Sequence, residues 1–297
     1  MRKPTKEIQL TSYDELLGIN ESESSAQGKV VEVPLDELHP FKNHPFQVND
    51  DEEMDDLVES IRQHGVLNPG IVRPRPEGGY EIISGHRRKR GSELAGLSTL
   101  PVLIQEYSDD EAVIIMVNAN IQRENILPSE KAFAYKMKME ALRHQGMKDS
   151  KGEDTAELVG KKAGDSGRKV QRYIRLTELL PELLERVDKK KLNFISAVSL
   201  SYLTKEEQEW VVQCITEKRV SISGKAAEEL KKYSAEKKLT RLAVELALCK
   251  EKKESRKLSF SEERVNRYFP AEYSKEQMEE VICRLLEEWS KNEIPSK

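Results

Sequence analysis

The sequence has few of the residues that would place it in an oxidising compartment or a membrane. Its 297 residues include 3 cysteines, Cys214, Cys249 and Cys283, which are far apart along the chain and show neither metal-ligand spacing nor an even-numbered disulfide framework. The longest apolar runs, such as AVIIMV at 112–117, are too short to cross a bilayer. The N-terminus, MRKPTKEIQL, lacks the apolar core of a signal peptide. We therefore expect a cytoplasmic protein without a membrane partner.

Aromatic residues are also scarce, at 6%, whereas charged residues reach 34%. This composition is typical of a helix-rich protein with exposed linkers, and the length predicts two or three domains. The net charge of -4 argues against nucleic-acid binding through overall charge. Local basic patches remain compatible with it, because electrostatic steering depends on where the charge lies.

Residues 30–107 show the mixed pattern of a small α/β domain. In DDEEMDDLVESIRQHG, apolar residues at helical spacing follow an acidic first turn, and Gly65 stands where the helix would end. The segment GIVRPRPEGGYEIIS predicts two strands joined by a Glu-Gly-Gly turn. A basic corner, GHRRKR, then begins a helix that closes at Gly96, and LPVLIQEY predicts a returning strand.

From Ser108 onward the pattern is almost entirely helical. Ser108 and Glu111 have capping-box spacing, and Pro128 marks a second helix start. The spacing of that second helix assigns to one side Phe133, Met137 and Leu142.

These patterns predict an α+β protein in which a small α/β domain precedes all-α parts. We expect a disordered tail at 1–29, the α/β domain at 30–125 and a helical domain at 126–233. Residues 234–297 would form a linker and a helical C-terminal segment, whose apolar stripe predicts self-association.

The basic corner has the features of an anion site. Ser84-Gly85 allows a tight turn into a helix, which leaves the first amides unpaired at the positive end of the helix dipole. Arg87, Arg88 and Arg90 add guanidinium groups that match phosphate oxygens. Cations at a helix N-terminus oppose the dipole by a few tenths of a kcal/mol each, so this cluster calls for a compensating anion. The alternative is an ordinary solvated basic turn.

Three segments resemble the ParB/Noc N-terminal domain in order and spacing. They are HPFQVNDDEEMDDLVESIRQHGVLNPGIVRP, GYEIISGHRRKRGSELAG and NANIQRENILPSEKAFAY. With the helical motif described below, the resemblance covers roughly residues 30–200. It implies a ParB/sulfiredoxin-like nucleotide-binding fold for 30–125. Members of this family bind a palindromic DNA site, bind CTP with Mg²⁺ and close on DNA as a sliding clamp.

The resemblance also implies a set of binding residues. The loop at 85–90 would hold the triphosphate, NIQRE would form a second phosphate and metal motif with Asn120 as metal ligand, and HGVLNPGIVRP would lie near base and ribose. The implied nucleotide-binding residues are Gln47, Gly85, His86, Arg87, Arg88, Arg90, Asn120, Gln122 and Arg123.

Two departures from the family pattern bear on hydrolysis. His86 replaces the glutamate of the usual Gly-Glu-Arg-Arg, and Ala119 replaces the acidic residue of the usual Glu-Asn-x-Gln-Arg. Family members use these two glutamates to organise metal and water. We therefore expect nucleotide binding rather than hydrolysis, with at most a weak CTPase activity.

A helix-turn-helix is predicted independently by TAELVGKKAGDSGRKVQRYIRLTEL. Val159 faces inward on the first helix, Gly164 provides the turn and Ser166 caps the second helix. The second helix buries Val170, Tyr173 and Ile174 and leaves donors pointing outward for base edges and phosphates. The predicted DNA-binding residues are Lys161, Lys162, Ser166, Arg168, Lys169, Gln171, Arg172 and Arg175.

We therefore interpret the sequence as a ParB-like DNA-binding protein of chromosome, plasmid or mobile-element partition, gated by CTP. NFISAVSLSYLTKEEQ resembles the corresponding segment of mobile-element members. The expected partners are double-stranded DNA, a second copy of the chain and a ParA-type ATPase, with a nucleoid-associated location. A helix-turn-helix regulator without nucleotide control and a ParB-like free-serine kinase stay open as alternatives. A sulfiredoxin is excluded, because Gly85 stands where its cysteine would be.

Overall fold

The fold was analysed in a computed structural model of the full chain. The structure describes residues 29–123, 125–145, 155–249, 264–265, 267–270 and 272–293. Contacts divide the chain into one unit that runs to Lys250 and a second that begins at Glu251. The predicted tail at 1–29, except for Lys29, the polar break at 147–154 and most of the charged linker after Cys249 lie outside the described residues.

A five-stranded mixed sheet forms the N-terminal part. Its strands are β1 (Val30–Pro34), β2 (Leu38–Pro40), β3 (Gly70–Pro74), β4 (Tyr80–Ser84) and β5 (Thr99–Ile104). The order across the sheet is β1-β5-β3-β4-β2. β3 and β4 pair antiparallel, with Val72 opposite Ile82, which confirms the predicted hairpin. β3 also pairs parallel with β5, the strand predicted from LPVLIQEY.

Helix α1 (Glu52–His64) follows the predicted pattern closely. The Asp51 side chain caps it by accepting from the Met54 amide, and Gly65 ends it. Met54, Val58 and Ile61 are buried. Helix α2 (His86–Ala95) packs on α1 at Gly91, where an added Cβ would lie 2.9 Å from Ile61 Cδ1.

Two longer helices follow, α3 (Asp109–Asn120) and α4 (Pro128–His144). Ser108 and Glu111 form the predicted capping box at the start of α3. The predicted apolar side of α4 is partly wrong, because Phe133 is 42% exposed. The other two predicted residues, Met137 and Leu142, do pack against the cluster that joins α3 and α4, together with Tyr135 and Met139.

The predicted helix-turn-helix consists of α5 (Thr155–Gly160), a 3-10 turn at Lys161–Ala163 and α6 (Gly167–Arg175). Gly164 ends the turn with φ +67°, and Ser166 caps α6 by accepting from the Lys169 amide, as predicted. Gly160 marks a very close approach within this turn. A Cβ added there would lie 2.0 Å from the Asp165 carbonyl oxygen.

After a 3-10 turn at Leu176–Glu178, the described part of the first unit continues with five α-helices: α7 (Pro181–Asp188), α8 (Phe194–Leu200), α9 (Lys205–Lys218), α10 (Gly224–Ala235) and α11 (Arg241–Leu248). One apolar cluster runs through all five and includes Leu183, Leu200, Cys214 and Leu230. Val244 and Leu248 of α11 belong to the same cluster. Residues 239–248, which the sequence analysis assigned to the C-terminal segment, therefore pack with the preceding helices.

In the second unit, α12 (Lys275–Glu293) exposes Leu285, Leu286 and Trp289. This is the stripe from which self-association is predicted. Within the described residues, no helix combines the length and the hydropathy needed to cross a bilayer. A sheet packed with helices, followed by helices alone, confirms the predicted α+β class. The domain boundaries themselves stay a prediction.

Candidate anion cleft and helix-turn-helix interface

A cleft of about 160 Å³ lies where β4, the start of α2, the segment before α1 and the C-terminal end of α3 meet. Residues from both sequence motifs of the resemblance line it. The lining residues are His44, Gln47, Val48, Ser84, Gly85, His86, Arg87, Arg88, Ala119, Asn120 and Arg123. The structure thus brings together seven of the nine predicted nucleotide residues, all except Arg90 and Gln122.

The cleft contains the uncapped start of α2. Gly85 precedes α2 with φ +117°, a left-handed conformation that favours glycine, and no side chain caps the helix. A Cβ at Gly85 would also lie 3.2 Å from the Gly70 Cα. The first-turn amides of α2 therefore keep their donors for an anion at the positive end of the helix dipole.

The guanidinium groups around the cleft divide into two kinds. Arg88 Nη1 donates to the carbonyl oxygens of Asn68 and Pro69, at 2.6 and 2.5 Å, and has no carboxylate partner among the described residues. Arg123 likewise has no ion pair there. Arg87, by contrast, lies 3.2 Å from an Asp51 oxygen.

Arg90 lies outside the cleft and pairs with Asp50 at 2.6 Å. This hydrogen bond raises the pKa of the guanidinium above its usual range. Carboxylates before α1 therefore supply part of the compensating negative charge that the basic corner required. Arg88 and Arg123 remain the cations with the greatest capacity for an added anion.

Two neutral histidines form one wall of the cleft. The His44 and His86 rings are in contact, with their centroids 3.9 Å apart and their planes tilted by 38°. His86 Nε2 accepts from the Phe41 amide at 3.2 Å, so the proton of the neutral ring is on Nδ1. Burial, with His44 and Lys89 nearby, lowers the pKa of His86 to about 3. His86 is therefore uncharged near neutral pH and cannot act as a carboxylate would.

The second motif contributes from the end of α3. Ala119 and Asn120 line the cleft, and the Asn120 amide donates to the Met116 carbonyl at 2.8 Å, which leaves its side-chain oxygen as an acceptor. Gln122 points elsewhere, since its Nε2 donates to the Lys162 carbonyl of the helix-turn-helix at 3.2 Å. This contact joins the second motif directly to the DNA-binding motif.

The cleft lining offers a metal ion few ligands of its own, so an ion there would be held mainly by the oxygens of a bound small molecule. Mg²⁺ prefers oxygen ligands and commonly binds through one or two carboxylates together with substrate phosphates. No carboxylate is among the lining residues, and the side-chain oxygens are those of Gln47, Ser84 and Asn120. The described residues also contain no group of three or more His, Cys, Asp or Glu side chains placed for a metal. Asn120 supplies one of these oxygens, and its role as metal ligand stays a prediction.

The helix-turn-helix presents its polar face to solvent. Val170 is buried, and Tyr173 and Ile174 pack half-buried against the same cluster, as predicted. The predicted donors Arg168, Lys169, Gln171 and Arg172 are exposed on α6, and Lys161 is exposed on the turn. Exposed donors on a docked helix are what reading of base edges and phosphates requires.

Comparison with known proteins gives the family of this chain. A profile of the ParB N-terminal domain matches residues 20–121. The chromosome-partitioning protein Spo0J of Thermus thermophilus is 33% identical over 193 residues, which cover 65% of this chain and 67% of that protein. The chain belongs to the ParB family. The mobile-element subtype stays a prediction.

Other ParB relatives carry different names. The nucleoid occlusion protein of Listeria innocua is 35% identical over 181 residues, 61% of this chain and 60% of that protein. Truncated Caulobacter crescentus ParB complexed to the centromeric parS site is 27% identical, covers 68% of this chain and 98% of that chain, and superposes with a TM-score of 0.42. The structure of that ParB complexed with CTP-gamma-S is 31% identical to this chain. The match covers 59% of this chain and 92% of that chain, with a TM-score of 0.31. The family assignment therefore rests on the sequence matches.

Sequence reasoning missed a buried charge cluster behind the recognition helix of this ParB-family chain. The Asp165 side chain is only 3% exposed and lies 2.6 Å from both Lys131 and Lys169. Tyr135 donates to it at 2.6 Å. Despite the opposing effect of burial, these donors lower the pKa of Asp165 to about 2. The acidic residue before α6 thus faces inward and anchors the helix.

The last predicted DNA residue, Arg175, is engaged within the protein. Its guanidinium donates to the Ser201 carbonyl and lies 4.2 Å from the Tyr202 ring centroid. Lys231 of α10 lies 3.8 Å from the same centroid. Tyr202 thus joins the C-terminal end of α6 to α10, a contact between distant segments that no local motif signals.

Proposed function

We propose that this ParB-family chain binds a palindromic DNA site in chromosome, plasmid or mobile-element partition, and that CTP in the cleft controls its hold on DNA. The observation that carries the proposal is the Gln122–Lys162 hydrogen bond, at 3.2 Å. It connects the motif that contributes Asn120 and Arg123 to the cleft with the turn before the recognition helix. An anion bound at one end thereby acts on the position of the other.

The triphosphate is the part of CTP that the cleft suits best. Small-molecule sites usually measure about 300–1,000 Å³, so a cleft of about 160 Å³ holds phosphates rather than a whole nucleotide. Arg88 and Arg123 supply charge, and the first amides of α2 supply neutral donors. Base and ribose would lie toward Gln47 and the Asn68–Pro69 segment, whose carbonyls hold Arg88.

The lining residues are the basis for two further proposals, one on Mg²⁺ binding and one on hydrolysis. Mg²⁺ bound with CTP would neutralise phosphate charge, with Asn120 as its ligand from this chain. Ala119 has no basic group, and the Nε2 lone pair of His86 already accepts from the Phe41 amide while burial lowers its pKa to about 3. Neither residue is therefore suited to take a proton from a water in the cleft. We therefore propose that the chain binds CTP with little or no hydrolysis.

On the DNA side, the exposed face of α6 would enter the major groove. Arg168, Gln171 and Arg172 are the candidates for base edges, and Lys161 and Lys169 those for phosphates. A palindromic site requires two copies of the chain, and the exposed apolar stripe of α12 is the surface proposed to join them. A ParA-type ATPase is the proposed motor partner.

Two measurements test this function. Titration calorimetry with CTP and Mg²⁺, compared with ATP, GTP and UTP, should show heat for CTP alone. Retention on closed DNA circles carrying the recognised site should then require CTP, whereas linear DNA with free ends should release the protein. CTP binding without retention would reject the clamp and keep the nucleotide site.

A regulator without nucleotide control is the second candidate. It is favoured by the carboxylates that already pair with Arg87 and Arg90 and reduce the need for a bound anion. Under this alternative, calorimetry gives no heat with any nucleotide, and site binding is indifferent to CTP. Chromatin immunoprecipitation separates the two as well, because a clamp spreads from its site and a regulator gives a sharp peak alone.

A further inference from the structure

Helices α9 and α11 pack against each other, and the ion pairs Glu217–Arg241 and Lys218–Glu245 give their register. Lys218 Nζ of α9 lies 2.9 Å from Glu245 Oε2 of α11. Cys214 precedes Lys218 by one helical turn, and Cys249 follows Glu245 by one turn. Residues four apart lie on the same face of a helix, so the Lys218–Glu245 pair places the two cysteines opposite each other.

The contact between the two thiols agrees with this register. Cys249 lies close enough to affect the Cys214 thiol electrostatically. Both cysteines are free. Their separation of 35 positions in the sequence hid this proximity, which depends entirely on how α11 returns along α9.

The two thiols differ in environment. Cys214 is 4% exposed within the apolar cluster of α7–α11, whereas Cys249 is exposed where α11 ends. Burial raises the pKa of the Cys214 thiol, and the neighbouring Cys249 adds to that shift. A solvent-borne oxidant therefore reaches Cys249 first, while Cys214 is shielded and lies next to it.

We propose that Cys214 and Cys249 form a reversible intramolecular disulfide when the protein meets a peroxide. This inference goes beyond the proposed function and does not depend on it. The sulfur of Cys249 attacks one peroxide oxygen and breaks the O–O bond, which gives a sulfenic acid and one water. The sulfur of Cys214 then attacks the Cys249 sulfur and expels a second water. The two thiols lose two electrons and two protons, peroxide is reduced to two waters, and a dithiol reverses the bond.

The bond would join the end of α11 to the middle of α9 and close the loop that contains α10. A cross-link restricts the unfolded chain, so the oxidised protein should unfold at a higher temperature than the reduced one. Cys283 of the second unit serves as an internal control, because it is exposed and has no cysteine partner among the described residues.

The test uses the full-length protein treated with hydrogen peroxide, then blocked with iodoacetamide and mapped by mass spectrometry. The expected product has a Cys214–Cys249 peptide pair, a mass loss of about 2 Da and one remaining reactive thiol of the 3. Dithiothreitol should restore all of them. Cys283→Ser should form the same Cys214–Cys249 disulfide and leave no reactive thiol. Cys249→Ser should form no intramolecular disulfide.

Two results would overturn the proposal. One is a sulfenic or sulfinic acid at Cys249 while Cys214 is still free to alkylate. The other is a disulfide between two chains through Cys249 or Cys283, seen as a dimer on a non-reducing gel. Because the wild-type peptide map decides the question, a folding defect of Cys214→Ser would not obscure it. A melting temperature unchanged by oxidation would reject the stabilising role of the bond.

Discussion

The Lys138 ammonium donates to the Asn118 side-chain oxygen over 2.8 Å and to the Val159 carbonyl over 3.3 Å. It is only 4% exposed, and it ties together α3, α4 and α5. Asn118 stands just before the cleft residues Ala119 and Asn120, and Val159 lies in the helix-turn-helix. Lys138 thus forms a second link, beside that of Gln122, between the cleft and the DNA-binding motif.

Lys138 should make stability depend on pH in the alkaline range. Burial, with Lys162 nearby, lowers its pKa from 10.5 to about 8. Between these values the unfolded chain binds more protons than the folded one, so the free energy of unfolding should rise with pH from about 8 to 10.5. The rise should be on the order of 3 kcal/mol, since one pKa unit corresponds to about 1.4 kcal/mol.

Urea unfolding of wild type and Lys138→Met across this range measures the effect as a difference between the two proteins. The variant should lack the rise. Lys136→Met on the same helix is the control, because Lys136 is more exposed and lies 3.8 Å from Glu178. Parallel curves for wild type and Lys138→Met would show that Lys138 is not the group that titrates.

Arg123→Ala should weaken CTP binding about 10- to 100-fold, because a hydrogen bond to a charged group contributes about 1.5–3 kcal/mol. Arg88→Ala should abolish measurable binding, since that side chain also fixes the Asn68 and Pro69 carbonyls. Calorimetry with Mg²⁺ checks both. Arg90→Ala is the matched control, because Arg90 pairs with Asp50 outside the cleft. An equal loss for all of these variants would contradict the assignment of the cleft.

Asp165→Asn should destabilise the first unit by about 3 kcal/mol, because it leaves the largely buried Lys131 and the more exposed Lys169 without their carboxylate. The folded pKa of Asp165, about 2, is below its usual 3.8. Its stabilisation is therefore fully present above pH 3.8 and is lost as pH falls through 2. Acid unfolding followed by circular dichroism should show this component in wild type and not in the variant. Lys169→Gln should cost less, because Lys131 and Tyr135 still hold Asp165.

Arg172→Ala should weaken the specific site more than random DNA, because a bidentate base contact contributes about 1–3 kcal/mol of discrimination. Lys161→Ala should weaken binding to both DNAs equally. It should also reduce the slope of log K against log salt concentration by about one. Fluorescence anisotropy at several salt concentrations measures the two effects. If Arg172→Ala also lowered both affinities equally, the residue would contact phosphate only.

Local signals predicted much of this fold. The end of α1 at Gly65, the Ser166 cap, the Ser108–Glu111 capping box and the β3–β4 hairpin depend on residues a few positions apart, and all are confirmed. The resemblance also named most of the residues that line the cleft. Their roles in binding stay predictions.

What the sequence did not predict depends on long-range packing. The inward position of Asp165 requires Lys131 and Tyr135 from α4, and the thiol pair requires α11 to return along α9. The exposure of Phe133 has a similar cause, because the positions of the helices packed on α4, among them α3, α5 and α6, decide which of its sides is covered. Helical spacing indicates that a helix has an apolar stripe, but the positions of the neighbouring helices decide which side of it is buried.

The tight turn at Gly160 limits which positions of the helix-turn-helix can vary. Because a methyl group at that position would collide with the Asp165 carbonyl oxygen, the turn tolerates no larger residue without rebuilding. The outward positions Arg168, Gln171 and Arg172 have no such constraint. Under the proposed function, substitutions at those three positions would change the recognised DNA site while the Gly160 turn stays unchanged.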